Sequence, residues 1–372
     1  MRITIIRSII FILPLVLLLI GINLFADPGC LYSPSMTEEF AEGILNGHDM
    51  YAVSGNIDER GAIIKRIKGM THSYTVEAVG PSLIMCLSSE MLNTNSFMNF
   101  GESGANYYDI MSIIGQLDKK DLLPKRIIIT IDTMLFDKAH TEVDKRYTIQ
   151  VDSAYYMLHK LNSNTADILQ NTSKEKSLKT RISSLIQIAR QYSQLVRLGY
   201  FQSSIELIKK YGSSVFSRVG IVDDEYTGAY WRKDGSYVYT LEVQNQSVET
   251  VYKKTENYVT NSFEGQITQY ASVDSEFKKN FELLINYLEN SGVQVEFFLC
   301  PFHPVVYNEI QANPEKWSLP LQIEEYITAY AIDKNIRIIG SYNPDNCGVD
   351  ETDFYDSRHL RAESLAKNID FK

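Results

Sequence analysis

Short apolar segments that alternate with helical segments constrain the fold of this chain more than any other feature. The clearest is 126–131, a β-branched run between Pro124 and Asp132. Such runs are typical of strands buried on both faces. Strands are predicted over 74–79, 96–100, 126–131, 293–299 and 336–339. Because strands alternating with helices indicate parallel β-α-β units, we predict an α/β fold, a three-layer α/β/α sandwich with a parallel sheet.

Helical segments accompany these strands, and one long region breaks the alternation. Helices are predicted over 83–91, 107–117, 277–290, 321–332 and 360–369. Residues 138–270 instead contain predicted helices within 182–208, followed by a Tyr- and Gln-rich stretch with a turn at Asp234-Gly235. We interpret 138–270 as a large, mostly helical insertion that caps or flanks the active-site end of the sheet.

The N-terminus carries an uncharged, mostly apolar run over 8–26, with Arg2 and Arg7 before it. About 20 such residues span the ~30 Å hydrocarbon core of a bilayer, and the basic side is expected to stay in the cytoplasm. We therefore predict a single-pass membrane protein with a transmembrane anchor at 1–26, a polar connector at 27–71 and an extracytoplasmic domain at 72–372. A cleaved signal peptide is the alternative, although the run is long for one.

Composition excludes some classes of function. The net charge of −10 argues against a nucleic-acid partner, which would normally require a basic face. The cysteines show no C-x-x-C spacing, so neither a zinc site nor a disulfide scaffold is indicated, and no metal or cofactor is predicted. They are Cys30, Cys86, Cys300 and Cys347.

The candidate chemistry lies in two stretches far apart in sequence. In the first, 77–82, an apolar run ends in a small-residue turn that carries Ser82. The second, 354–359, contains Asp356 and His359 three residues apart. Serine, histidine and aspartate can act as a nucleophile, its general base and the group that orients the base. We predict these three residues as catalytic.

The positions of several polar residues and glycines favour the same edge of the predicted sheet. In an open parallel sheet, ligands bind at the carboxyl ends of the strands. On our strand assignment, that edge holds Ser82, the 101–104 loop, Asp132, His303 and the 356–359 loop. The backbone N–H groups of Ser82 and Gly104 are predicted to form an oxyanion hole, because a helix N-terminus favours negative charge and glycine permits close approach.

Three blocks occur in an order that resembles a known family. They are Val-Gly-Pro-Ser at 79–82, Asn-Phe-Gly-Glu-Ser-Gly at 99–104 and Asp-Ser-Arg-His at 356–359. The chain resembles the SGNH (GDSL-type) hydrolases, and is most similar to the membrane-anchored branch linked to O-acetylation of cell-envelope polysaccharides. The resemblance covers roughly 72–135 and 277–372.

The resemblance implies roles for matching residues and also shows a departure. It implies His359 as the base with Asp356 as its partner, and an oxyanion N–H from the last glycine of the second block, Gly104. Where the family usually has Gly-x-Asn-Asp, this chain has Thr-Ile-Asp-Thr at 130–133. The oxyanion asparagine is therefore missing or replaced, and Asn106 is a candidate substitute.

Other residues are predicted to contact substrate, each with a structural alternative. The candidates are His303, Asp132, Arg358 and Trp231. His303 lies between two prolines that fix its loop, and Asp132 can instead cap a loop or support the glycine loop. Trp231 can stack on a sugar, although aromatic residues are more often core. Ser82 itself can be a simple helix N-cap, which is the commonest use of serine before a helix.

The sequence thus predicts a serine-dependent O-acyltransferase, an O-acetylating enzyme that acts outside the cytoplasm on a cell-envelope or secreted polysaccharide. A membrane-embedded acyltransferase that hands over the acetyl group is the expected protein partner. A carbohydrate esterase of the same fold is the nearest alternative. A non-catalytic polysaccharide-binding scaffold is the other, because loss of one oxyanion donor costs about 10²–10³ in rate.

Overall fold

The computed structural model describes residues 2–29, 32, 34–53, 57–140, 148–162, 192–212, 215, 218–263 and 267–372. Within them the strands are β1 Met50–Ala52, β2 Val76–Pro81, β3 Phe97–Glu102, β4 Arg126–Thr130, β5 Val219–Ile221, β6 Tyr230–Trp231, β7 Tyr237–Val238, β8 Gln294–Leu299 and β9 Arg337–Gly340. The helices are α1 Arg2–Ala26, α2 Pro34–Leu45, α3 Glu59–Gly69, α4 Tyr107–Lys119, α5 Thr148–Lys160, α6 Leu198–Tyr211, α7 Leu241–Gln244, α8 Val248–Asn261, α9 Ser275–Asn290, α10 Pro304–Ala312, α11 Ser318–Lys334 and α12 Ala362–Asn368.

A five-stranded sheet in the order β3-β2-β4-β8-β9 lies at the centre of the fold, and every neighbouring pair in it is parallel. The predicted α/β fold with a parallel sheet is confirmed, and each predicted strand overlaps one of these five. The isoleucine run of β4 shows why these strands could be predicted from apolar runs. Ile128 packs into one core cluster while Ile127 and Ile129 pack into another. Since successive side chains point to opposite faces, both faces of β4 are buried.

Helices cover the two faces of this sheet. On one face, α4, α9 and α11 contribute Ile113, Ile285 and Ile327 to the core. On the other face, α8 and α12 contribute Val251 and Leu365. Helices therefore cover both faces of the sheet, and the loops that join strands to helices meet at the ends of the strands.

The region predicted as a polar connector, 27–71, is a folded part of the core. It contains α2, β1 and α3, and Phe40 and Ile63 are each 2% exposed or less. Apolar residues spaced between charges supply the buried face of α3, so the region is more than a polar connector. This region also places α3 beside the central sheet.

The insertion contributes strands as well as helices. A second sheet in the order β5-β1-β6-β7 is antiparallel and combines the N-terminal strand β1 with three short strands from the insertion. The described part of the insertion also contains α5, α6, α7 and α8. Residues 163–191, which include the first part of the predicted helical span 182–208, lie outside the described residues.

The helix predicted over 83–91 is wrong. A single 3₁₀ turn spans Ser82–Ile84, and irregular turns follow it. The Asn99 side-chain amide donates to the carbonyls of Ile84 and Leu87 at 2.8 and 2.9 Å, so these carbonyls bond to a neighbouring strand. Tertiary hydrogen bonds override the helical tendency of this segment.

No helix in the described part of the chain combines the length and apolar composition needed to cross a membrane. The predictions of a transmembrane anchor at 1–26 and of a single-pass membrane protein are therefore wrong.

Helix α1 ends in polar contacts with the rest of the protein. Asn23 is fully buried and accepts a hydrogen bond from the Ser204 hydroxyl at 3.1 Å. Asp27 is 2% exposed and pairs with Arg218 at 3.4 Å. These contacts fix the end of the apolar run against α6 and its flanking loop, which the hydropathy pattern does not register.

Glu77 is a carboxyl group inside the central sheet. The side chain is 0% exposed, and neither oxygen has a hydrogen-bond partner of ordinary geometry among the described residues. Burial raises the pKa of this carboxyl well above its usual 4.5, because the charged form is disfavoured away from water. The folded protein therefore binds a proton here that the unfolded chain releases as the pH rises.

Replacement of Glu77 by glutamine is expected to increase the free energy of unfolding, relative to wild type, by an amount that grows as the pH rises above about 4.5. Below that pH both states hold the proton, and the titration contributes no difference. Urea denaturation from about pH 5 to about pH 8 measures the effect. Glu325→Gln, on the exposed face of α11, is the control. If the difference in free energy of unfolding between Glu77→Gln and wild type does not change with pH, the Glu77 carboxyl is not held neutral by burial.

Candidate active site

Ser82 follows β2 at the carboxyl edge of the sheet. One step before the end of the strand, Gly80 has φ 146°, and a Cβ there would lie 2.6 Å from the Thr130 Cβ. Glycine therefore lets β2 pass close to β4 without a clash. Strand β2 lies between β3 and β4, where the chain order reverses, and ligands bind at such switch points.

Ser82, His359 and Asp356 form a continuous hydrogen-bonded chain. Ser82 Oγ lies 2.8 Å from His359 Nε2. His359 Nδ1 lies 2.9 Å from Asp356 Oδ2 and 3.0 Å from Oδ1. If Nδ1–H donates to the carboxylate, Nε2 is left to accept the serine proton. The structure thus brings together the three residues predicted as catalytic, across 277 positions of sequence.

The Asp356 carboxylate is held by its own loop. Its Oδ1 accepts hydrogen bonds from the backbone N–H groups of Arg358 and His359 at 2.8 and 2.9 Å. Burial by itself would raise the pKa of this carboxyl, but the charge and hydrogen bond of His359, together with the two N–H donors, lower it to about 2. The carboxylate is therefore ionised at neutral pH, which is the state that orients an imidazole.

A buried ion pair joins the loop after β4 to the loop of the histidine. Arg358 Nη2 donates to Asp132 Oδ2, and the side chains are 9% and 4% exposed. Burial would lower the pKa of the guanidinium, but the charge of Asp132 outweighs it and the pKa is raised. Asp132 also accepts from the Met134 N–H at 3.0 Å. Because Asp132 is tied to Arg358, its place in the site is that of a support for the 356–359 loop.

A cavity of about 290 Å³ opens beside Ser82. Its lining residues are Pro81, Ser82, Leu83, Gly104, Asp132, Met134, Tyr258, Asp356, Ser357, Arg358 and His359. The cavity therefore brings the hydrogen-bonded chain, the ion pair and the glycine loop to one space.

Sequence reasoning missed the contribution of α8 to this cavity. Tyr258 lines the wall, and burial raises the pKa of its hydroxyl, an effect that the charge and hydrogen bonding of Arg358 partly offset. Val251, Thr255 and Tyr258 lie at i, i+4 and i+7, and the first two are fully buried. This helical spacing is the signal that could have predicted a buried face here.

Two of the three predicted oxyanion residues, Ser82 and Gly104, line the cavity. Gly104 lines it and has φ 63°, a conformation that favours glycine. Asn106 does not line it. Its Oδ1 caps α4 by accepting from the N–H groups of Tyr108 and Asp109 at 2.9 and 3.3 Å. Asn106 therefore caps α4 and does not lie at the cavity, where the asparagine of the SGNH pattern would be expected.

His303 is a helix cap away from the cavity wall. It is 0% exposed, and its Nδ1 accepts from the Val305 N–H at 3.2 Å at the start of α10. Burial lowers the pKa of the imidazole to about 4, against an opposing effect of Asp356. The prediction that His303 contacts substrate is not supported, because the ring is enclosed beside Phe354 at 5.0 Å.

Trp231 belongs to a row of packed aromatic rings. It is 6% exposed and lies 5.2 Å from Phe40 and 4.8 Å from Tyr237, measured between ring centroids. The row continues through Tyr239, which lies 6.1 Å from the His359 ring. The prediction that Trp231 stacks on a sugar is therefore not supported, because the side chain is nearly buried and does not line the cavity. The row instead packs the insertion against the histidine loop.

Among the residues that the structure describes, no group of three or more His, Cys, Asp and Glu side chains is arranged to hold a metal ion. No model of a known protein family matches the chain, and no curated protein matches it. The chemistry of the site is therefore inferred from its geometry.

Replacement of Asp132 by asparagine is expected to destabilise the fold by about 3 to 5 kcal/mol, because it leaves the Arg358 charge buried without its partner. Asp132→Asn combined with Arg358→Met should recover most of that loss, since the double variant buries no charge. Urea denaturation of the single and double variants measures the coupling. Asp370→Asn, which breaks an ion pair with a 79% exposed carboxylate, is the control and should cost less than about 1 kcal/mol. Equal losses for Asp132→Asn and Asp370→Asn would contradict a structural role for the buried pair.

Proposed function

We propose that this protein is a serine-dependent acyl-transfer enzyme. The observation that carries the proposal is the chain from Ser82 Oγ to His359 Nε2 at 2.8 Å and from His359 Nδ1 to Asp356 at 2.9 Å, open to a cavity of about 290 Å³. A serine placed this way beside an oriented imidazole is an activated nucleophile.

In the first half of the proposed reaction, Ser82 Oγ attacks the carbonyl carbon of an acyl ester while His359 Nε2 takes the hydroxyl proton. The Asp356 carboxylate stabilises the imidazolium and keeps its orientation. The backbone N–H groups of Gly104 and Ser82 are the proposed donors to the tetrahedral oxyanion. Collapse of the intermediate breaks the ester C–O bond, and His359 gives its proton to the leaving oxygen. Ser82 is then acylated.

In the second half, His359 deprotonates an acceptor hydroxyl, which attacks the acyl carbonyl carbon. The bond to Ser82 Oγ breaks, and the serine recovers its proton from the imidazolium. A sugar hydroxyl as acceptor gives an acylated carbohydrate, and water gives a free carboxylic acid. The same site therefore serves a transferase or an esterase, and the acceptor decides between them.

The strand order and site position support an SGNH-type, three-layer arrangement as the finer description of the fold. In chain order the parallel strands are arranged 2-1-3-4-5, and Ser82 follows the first of them. The Asp356–His359 loop precedes the closing helix α12, as the D-x-x-H block does in that family. The resemblance favours acetyl transfer to the hydroxyls of a polysaccharide, and a separate protein that supplies the acetyl group stays a prediction.

The site geometry disfavours the scaffold alternative. A protein that had lost its chemistry would have no need for an ionised Asp356 bonded to two N–H groups and to the imidazole. The esterase alternative is favoured by no separate observation and is an outcome of the experiment below.

The direct test follows p-nitrophenolate release from p-nitrophenyl acetate by the full chain, with and without an acetylatable oligosaccharide. Wild type should turn over, and Ser82→Ala should abolish turnover together with labelling by a fluorophosphonate. Ser203→Ala, an exposed serine on α6, is the matched control and should behave as wild type. Acetylated oligosaccharide, detected by mass spectrometry, identifies a transferase, and acetate alone identifies an esterase. Equal turnover by wild type and folded Ser82→Ala would reject the proposal.

Replacement of Asp356 by asparagine is expected to lower kcat by about 10³–10⁴-fold. The amide donates to Nδ1 and so moves the proton to Nε2, which can then no longer accept the serine proton. KM should change little, because Asp356 is not expected to bind the substrate. The kcat and KM of the aryl acetate reaction measure this split. A loss of less than about 10-fold would show that the carboxylate does not set the tautomer.

A further inference from the structure

The loop that carries Gly104 is held from outside the sheet by the first turn of α3. Glu59 Oε2 accepts from the Ser103 N–H at 2.6 Å, and Glu59 Oε1 accepts from the Ser103 hydroxyl at 3.1 Å. Next to it, Arg60 Nη1 donates to the Ser103 carbonyl and Nη2 donates to the Gly104 carbonyl, both at 3.4 Å. Two adjacent residues of one helix thus contact four backbone or hydroxyl groups of a two-residue segment.

Arg60 is itself fixed by acidic groups of the protein. Its Nε and Nη2 donate to the two oxygens of Asp109, at 3.2 and 2.8 Å. Glu102 Oε1 lies 3.6 Å from the same guanidinium, and both carboxylates are nearly fully buried. Asp109 also accepts from the Gln150 amide on α5. A guanidinium held on two edges in this way has little freedom to release the loop.

The contact with the Ser103 carbonyl decides where the next N–H points. Peptide bonds in the described chain are trans, so the Ser103 carbonyl and the Gly104 N–H lie in one plane and point in opposite directions. Arg60 draws the carbonyl to its own side and thereby turns the Gly104 N–H away from α3. A guanidinium that donates to the carbonyl also polarises the peptide and strengthens its N–H as a donor.

Gly104 itself has little packing to do this. A Cβ placed on Gly104 would meet no atom within 4 Å, and the residue has φ 63°. Glycine at such a position can rotate its flanking peptides at small steric cost. The direction of the N–H is therefore set by the turn, in which the Ala105 N–H donates to the Glu102 carbonyl at 3.3 Å, together with the contacts from Glu59 and Arg60.

We propose that Glu59 and Arg60 are positioning residues of the active site, which orient the Gly104 N–H towards the cavity and so form the oxyanion donor. This inference rests on the proposed function, because it assigns a purpose to an N–H that only acyl transfer would use. Helix α3 lies in the region that the sequence suggests is a connector. On this inference, α3 supports the active site.

The test compares Arg60→Ala, Arg60→Lys and Glu59→Ala with wild type in p-nitrophenyl acetate hydrolysis by the full chain. Phenylboronic acid is the second probe, because it adds to the serine as a tetrahedral anion that resembles the transition state. Arg60→Ala and Glu59→Ala should lower kcat about 10-fold or more, leave KM within about two-fold, and raise the Ki of the boronic acid by a factor similar to the loss in kcat/KM. The kcat and Ki of Arg60→Lys should lie between those of wild type and Arg60→Ala, since an ammonium group can donate to one of the two carbonyls. Lys65→Ala, on the same helix and paired with Glu38 at 3.0 Å, is the matched control and should match wild type.

The outcomes separate this inference from the proposed function. Wild-type turnover that requires Ser82, together with wild-type kcat and Ki in folded Glu59→Ala, would overturn the positioning role and leave the enzyme proposal intact. A rise in KM with no change in kcat or Ki would also overturn it. No Ser82-dependent turnover in wild type would overturn both. If Arg60→Ala does not fold, Glu59→Ala decides the question, because that variant leaves the Arg60–Asp109 pair in place.

Discussion

The parallel register of β2 between β3 and β4 fixes where each loop of the candidate site leaves the sheet. Gly80 pairs with Gly101 on one side, and Val79 pairs with Ile129 on the other. Both faces of β2 are buried, so a slip of one residue would exchange the environments of all its side chains. The loops after the three strands therefore emerge at one edge in a fixed relation. Ser82, the Gly104 loop and Asp132 owe their proximity to this register, and the remaining contacts refine it.

Buried charges then select one arrangement of the surrounding loops. Arg126 pairs with Glu296 at 2.5 Å across β4 and β8, and its guanidinium also donates to the Phe371 carbonyl at 2.6 Å. Asp132 and Arg358 form a second such ion pair at the carboxyl edge of the sheet. A buried ion pair adds little net stability, but a half-made one is costly. Such pairs therefore penalise alternative loop positions more than they stabilise the native one, which suits a site that depends on distances of about 3 Å.

The sequence predicted the central sheet because fully buried parallel strands are continuous apolar runs, as 127–129 shows. It also predicted Ser82, Asp356 and His359 as neighbours, because residues that follow such strands share an edge. Their catalytic role stays a prediction. The second sheet was missed because strands such as β6 and β7, with two residues each, leave no periodic signal. The role of Asn99 was missed because its partners are backbone groups, which any residue can supply. The role of Arg60 was missed because its buried partner Asp109 lies 49 positions along the chain.

The hydrogen bond between Ser82 and His359 closes a loop of 277 positions. Contacts this distant in sequence form late, because the chain must first order the segments between them. An intermediate with β2, β3 and β4 in place would expose a serine that has no base beside it. On the proposed function, such an intermediate could not be acylated by the donor it encounters. The covalent intermediate would then form only on molecules that have completed folding, so that immature chains do not consume activated acyl groups.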